Sequence, residues 1–232
     1  MSKALWSAII VVGVLAIAVI TLRSTRHAPV VAGPDWAVPR ADAPITIDGK
    51  PDEPIWAHAA RSGAFVCEGA RVCAYADARA LWDERHLYVM LYAADEEIRA
   101  AKVGPDGPVW LGDHFELVLL RGGRTFRIDV SPRAVLADAE RGPPGWDTRW
   151  QSAAVAAIDT DGTIDLEGDQ DEEWIAELAI PWAALGGAPQ AGEVLGASVE
   201  RCDVSRGEGR RCSRFGSVGA AARWALDARL AP

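Results

Sequence analysis

Across residues 45–230 apolar and polar positions alternate in short runs separated by glycine, proline and charged turns, with little sustained helical period. This pattern predicts an all-β domain. Its clearest stretch is residues 109–130, where Phe115, Leu117 and Leu119 alternate with His114, Glu116 and Val118. After a Gly122-Gly123 turn, Phe126, Ile128 and Val130 alternate with Thr125, Arg127 and Asp129. A two-residue turn sets Leu119 opposite Phe126, Leu117 opposite Ile128 and Phe115 opposite Val130, so each apolar side chain meets an apolar partner. Residues 77–82 and 87–93 predict a second hairpin, with Leu81, Leu87, Val89 and Leu91 facing the core. Residues 174–180 predict a strand with Trp174, Ala176, Leu178 and Ile180 on one face and Glu177 on the other, stopped by Pro181. Residues 195–203 and 223–230 complete the set. The expected fold is a two-sheet antiparallel β-sandwich over residues 44–232, preceded by an N-terminal transmembrane helix.

The polar side of the first hairpin carries the candidate chemistry. Its register places Glu116 opposite Asp129, a pairing of like charges that needs a cation or ligand to compensate it, and Arg127 sits diagonally beside Glu116. Trp110 precedes the strand by a Leu111-Gly112 turn and can hold its indole over this face. A flat apolar plate above fixed donors and acceptors suits a sugar, whose ring has an apolar C–H face and an edge of hydroxyls. The candidate ligand residues are therefore Trp110, Glu116 and Arg127, with Asp129 and His114 shaping the site. The alternative is a solvated strand face with an exposed ion pair contributing about 0–1 kcal/mol.

Residues 4–22 form an apolar run broken only by Ser7, Gly13 and Thr21, preceded by Lys3 and followed by Arg23, Arg26 and His27. The run is long enough to cross a bilayer as a helix, so residues 1–25 are expected to be a membrane anchor. A cleaved signal segment is the alternative, with Val30-Val31-Ala32 as its cleavage site. Residues 26–43, with Pro29, Gly33, Pro34 and Pro39, are expected to be a flexible linker. Cys67 and Cys73, and likewise Cys202 and Cys212, bracket short polar loops that two disulfides could close. Disulfides persist outside the cytosol, which points to an extracytoplasmic domain in the periplasm or at the cell surface; four reduced thiols are the cytosolic alternative.

A net charge of -9 argues against nucleic acid, which needs clustered Lys and Arg. The chain lacks Gly-x-Ser-x-Gly, His-Glu-x-x-His, a phosphate-cradling glycine loop and Cys-x-x-Cys zinc spacing. Directly paired strand positions bring Glu116 and Asp129 closer than the about 5–5.5 Å of a retaining glycosidase, so no catalysis is expected.

Six segments occur in order: ITIDGKPDEPIWAHA at 45–59, ARALWDERHLYVMLYAAD at 78–95, VWLGDHFELVLL at 109–120, FRIDVSP at 126–132, DEEWIAELAIPWAAL at 171–185 and GASVERCD at 196–203. Together they resemble the family 9 carbohydrate-binding modules and their family 9-like relatives. The resemblance implies a non-catalytic sandwich that binds poly- or oligosaccharide and accompanies polysaccharide-degrading enzymes. It also implies a pair of tryptophans clamping a terminal sugar while charged side chains bind its hydroxyls. Trp110 falls on one clamp position, Glu116 on an acidic ligand and Arg127 on a basic one. The second clamp tryptophan does not align in CSRFGSVGAAARWALDARL, residues 212–230, which leaves Trp224, Phe215, Trp146 and Trp150 as candidates.

Structural calcium, common among such modules, has candidate ligands in Asp161, Asp165, Asp169 and Asp171, although the spacing is not that of an EF-hand and a solvated acidic loop is the alternative. No other cofactor is expected. Two further readings remain open, an adhesive or assembly sandwich at the cell surface and a haem-binding electron-transfer sandwich using Met90 as axial ligand. The favoured reading is a carbohydrate-binding module tethered to the membrane through residues 4–22.

Overall fold

The computed structural model describes residues 35–67, 72–205, 209–216 and 222–230; the expected anchor at residues 1–25 lies outside them. None of the described helices is long and apolar enough to cross a membrane. The strands are β1 (Asp35–Arg40), β2 (Ala60–Arg61), β3 (Val66–Cys67), β4 (Ala76–Trp82), β5 (His86–Ala94), β6 (His114–Arg121) and β7 (Arg124–Val130). They continue with β8 (Leu136–Gly142), β9 (Gly145–Asp147), β10 (Val155–Asp161), β11 (Glu173–Pro181), β12 (Val194–Ser205), β13 (Gly209–Phe215) and β14 (Ala222–Leu230). Two short 3-10 turns, Pro54–His58 and Val109–Leu111, interrupt the loops.

The sandwich is made differently from the expected pair of separate sheets. Hydrogen bonding runs without a break through β10-β11-β5-β4-β1-β14-β12-β6-β7-β8-β9, so one sheet curls over its own core. Strand β1 makes the seam: it runs parallel to β14 along most of its length and meets β4 through Arg40 and Trp82. Residues 35–40, part of the expected flexible linker over 26–43, thus belong to the sheet, while residues 26–34 lie outside the described residues. Trp36 and Val38 are buried in the core, and a register shift between Val38 and Arg40 accommodates Pro39, which has no amide to donate. Burial of these two side chains outweighs the proline-rich local composition.

The core takes alternate residues from the facing layers. Phe115, Leu117 and Leu119 of β6 and Phe126, Ile128 and Val130 of β7 pack with Leu87, Val89 and Leu91 of β5 and with Trp174, Ala176, Leu178 and Ile180 of β11. The β6–β7 register is the one expected, Leu119 to Phe126, Leu117 to Ile128 and Phe115 to Val130. Both turn glycines have positive φ, 57° at Gly122 and 77° at Gly123, as a two-residue hairpin with matching twist requires. Arg201 enters this interior at 1% exposure. It survives there because Nη2 donates to Asp95 at 2.8 Å and Nη1 to Asp203 at 3.1 Å, while Trp174 Nε1 donates to Asp95 at 3.3 Å.

On the outer face of β4, β5 and β11 a second cluster gathers Ile55, Trp56 and Ala59 over Leu81, Tyr88 and Met90. Leu81 therefore faces away from the main core, correcting its expected orientation; it pairs with Tyr88, one step out of phase with Leu87 and Val89. Met90, the haem candidate, is 1% exposed and packs within this apolar cluster. The cover is held by Glu177, whose Oε2 accepts from the backbone N–H groups of Asp48 at 3.2 Å and Gly49 at 3.0 Å. Gly49 has φ +90°, and a Cβ there would lie 2.5 Å from the carbonyl carbon of Ile158.

Candidate functional site

The β6 and β7 residues that alternate with the core face outward, and strand pairing extends their pattern sideways. Asp129 of β7 is opposite Glu116 of β6, Glu116 is opposite Glu200 of β12, and Glu200 is opposite Arg214 of β13. One transverse row thus carries three carboxylates and ends in a guanidinium, which forms an ion pair with Glu200. Arg127 lies one register step away, opposite Val118. Its Nε lies 3.0 Å from Asp129 Oδ2, a buried ion pair.

Two aromatic rings flank this row. Trp110 sits on the 3-10 turn Val109–Leu111, whose Val109 is buried as an anchor. The turn is fixed from beneath: Gly112 packs so closely that a Cβ would lie 2.5 Å from the Ala101 nitrogen. The fully buried Asp113 accepts from the Arg99 N–H at 2.6 Å and the Val204 N–H at 2.7 Å. Trp110 is 37% exposed, and its ring centre lies 5.5 Å from Cζ of Arg127. Trp146 is carried by β9, after the cis Pro143–Pro144 bond, with its ring centre 5.1 Å from the same carbon. One guanidinium is therefore in cation–π range of two indoles.

The electrostatics follow from partial burial of a crowded acidic row. Burial pushes the Asp129 carboxyl up to about 7, opposed by Arg127 and reinforced by Glu116. Burial also raises Glu116, Glu200 adds to that, and Arg127 and Arg214 oppose it. Among the described residues no group donates a hydrogen bond to the half-buried Glu116 carboxylate, which leaves it available as an acceptor. His114 is buried. It is 4% exposed, burial lowers it to about 4, and its Nδ1 lies 2.9 Å from the Gly112 carbonyl oxygen. The neutral ring fixes the turn beneath Trp110 and does not reach outward.

Of the four second-aromatic candidates, the structure brings only Trp146 to this face. Trp224 is fully buried against Trp36 at 4.7 Å, Phe215 lies 5.2 Å from the same indole, and Trp150 lies 5.0 Å from Phe126. These three support the core. Glu200 and Arg214 escaped the sequence reading because their place depends on how β12 and β13 pair with β6; the alternation of Val199 with Glu200 was their one local signal.

The candidate calcium ligands do not converge. Asp165 accepts from the Ala100 N–H at 3.0 Å and from Arg133 at 2.8 Å, and Asp171 accepts from the Ile98 and Thr163 N–H groups, both at 2.7 Å. Asp161 and Asp169 are exposed. Among the described residues the acidic, histidine or cysteine group that meets at ligand distance is Glu200 with Cys202 and Cys212, and those two sulfurs are joined to each other. Asp165 and Asp171 thus cap backbone amides. Both expected disulfides, Cys67–Cys73 and Cys202–Cys212, are present. A cleft of about 790 Å³ opens at another place, but its Asp95, Asp171 and Asp203 are committed to internal donors.

Comparison with known proteins gives the same picture of the fold. An inferred carbohydrate-binding protein from Bacteroides uniformis shares 13% identity with a TM-score of 0.67, over 84% of this chain and 100% of its own. A family 9 carbohydrate-binding module from Caldicellulosiruptor kristjanssonii, in complex with cellotriose, shares 15% identity with a TM-score of 0.59, over 83% of this chain and 94% of its own. A complex from the same organism with glucose shares 16% identity with a TM-score of 0.57, over 83% and 95%. Comparison with curated proteins returns no match. Residues 47–223 match the family model described as carbohydrate family 9 binding domain-like, and the chain belongs to that family.

Proposed function

We propose that the protein is a non-catalytic carbohydrate-binding module whose outer β6–β7 face holds a sugar between Trp110 and Trp146. Arg127 and Glu116 bind its hydroxyls, with the buried Asp129 behind them as the ionic partner of Arg127. The observation that carries this reading is the guanidinium of Arg127, within 5.5 Å and 5.1 Å of two indole centres and in an ion pair with Asp129 at 3.0 Å. Indoles accept the apolar ring faces, and the charged groups make the stronger class of hydrogen bond to hydroxyls. The solved modules of similar fold hold glucose and cellotriose, which makes glucose-type oligosaccharides the ligand class of choice.

The apolar run at residues 4–22 supports membrane tethering, and the two disulfides support a place outside the cytosol, at the cell surface or in the periplasm. A polysaccharide-degrading enzyme is the natural partner for such a module. Titration calorimetry of the full-length protein with glucose and cellotriose tests the assignment. Saturable binding that Arg127→Ala weakens by about tenfold or more supports it. Binding unaffected by that substitution contradicts the site.

A further inference from the structure

Resting on that reading, we infer that Glu200 and Arg214 form the second wall of the sugar site, and that the Cys202–Cys212 disulfide is the device that holds them in register. Glu200 and Cys202 are two residues apart on β12 and point to the same face, as do Arg214 and Cys212 on β13. The bridge joins positions directly opposite one another, and the next outward pair along the ladder is Glu200 with Arg214. A one-residue slip of β13 would turn Arg214 to the other face and put Ser213, now 1% exposed, in its place.

Such a constraint has a reason here. Among the described residues strand β13 lies off the main path of the sheet, paired along its length with β12 and on its other side with the two-residue β3. It is an edge element whose register the covalent bond secures. The charge pattern shows what that register supplies. Glu116 and Glu200 oppose each other across β6 and β12, an unfavourable pairing that Arg214 relieves from one end as Arg127 does from the other. Arg214 acts on Glu116 through the field of the row and on Glu200 by direct contact, which offsets the crowding of the two carboxylates. The site then spans β7, β6, β12 and β13, broad enough for more than one sugar unit.

The test is a cycle of full-length proteins titrated with glucose and cellotriose: wild type, Arg214→Ala, a Cys202→Thr/Cys212→Thr protein that keeps a cross-strand pair without the bridge, and the combination. The inference expects Arg214→Ala to weaken cellotriose binding by about tenfold and Arg214→Lys to restore part of it. It expects the bridge-free protein to lose a similar factor, and the combination to be little worse than either alone. Wild-type affinity in Arg214→Ala overturns the inference, as do losses that multiply in the combination. If the bridge-free protein does not fold, phosphine reduction of a folded Cys67→Ser/Cys73→Ser protein, whose remaining disulfide is Cys202–Cys212, followed by the same titration with and without Arg214→Ala, makes the same comparison. A wild type that binds neither sugar overturns the proposed function itself, an outcome distinct from binding that ignores Arg214.

Discussion

Glu116 and Asp129 face each other across the β6–β7 hairpin, and the second of them is buried to 2% exposure with Arg127 as its nearby cation. The arrangement makes stability depend on pH. Because the folded-state carboxyl of Asp129 is raised from 3.8 to about 7, the unfolded chain releases this proton first as pH rises. Between about pH 4 and pH 7 the unfolded state binds fewer protons, so this stabilising contribution is complete below the window and lost above it. Asp129→Asn should remove that slope. Urea unfolding at pH 4.5 and 7.5 should show the wild type losing on the order of 1–3 kcal/mol relative to the variant. Equal pH dependence in the two proteins would contradict the assignment.

Strand β1 predicts where the domain begins. A fragment starting at Pro44 lacks Trp36 and Val38 and opens the seam between β4 and β14. It should be less stable than a fragment starting at residue 32 by on the order of 3–5 kcal/mol, the cost of deleting large core side chains. Chemical denaturation of the two fragments measures the difference, and equal midpoints would show the seam to be dispensable.

The first hairpin was legible in the sequence because its period-two alternation and double glycine fix both register and facing with local information alone. That is why Glu116, Arg127 and Trp110 could be found, and why their placement follows the expected face. Trp146, Glu200 and Arg214 arrive through β9, β12 and β13, whose neighbours are set by long-range pairing that no local period encodes. Strand β1 was hidden for a different reason. Gly33 and Pro34 just before it and Pro39 within it describe a tether, and only the burial of Trp36 and Val38 against β14 overrides them. The acidic loop reads two ways because carboxylates that cap amides look, in sequence, like carboxylates that bind a cation.

Glu177 and Gly49 give a stability prediction remote from the ligand face. Glu177→Ala leaves the Asp48 and Gly49 amides without their acceptor and should destabilise the domain by about 1–3 kcal/mol. Gly49→Ala combines a positive φ with a backbone collision and should cost at least as much. Neither should change sugar affinity in protein that remains folded, and calorimetry beside thermal melts separates the two effects.

The cysteines predict a simple count. All four are paired among the described residues, so native unreduced protein should react with almost no thiol reagent, before or after denaturation. Four reactive sulfhydryls would remove both the bridges and the support they give to an extracytoplasmic location.

The paired indoles are the centre of the account, and cellotriose titration of Trp110→Ala, Trp146→Ala and Trp150→Ala tests them most directly. Loss of either flanking ring should weaken binding by about tenfold or more, the loss expected from an aromatic plate of about 0.5–1.5 kcal/mol beyond its buried area. Trp150→Ala, which removes a ring packed on Phe126, should lower the melting temperature while folded protein keeps its affinity. Full affinity in Trp146→Ala together with Trp110→Ala would contradict the site.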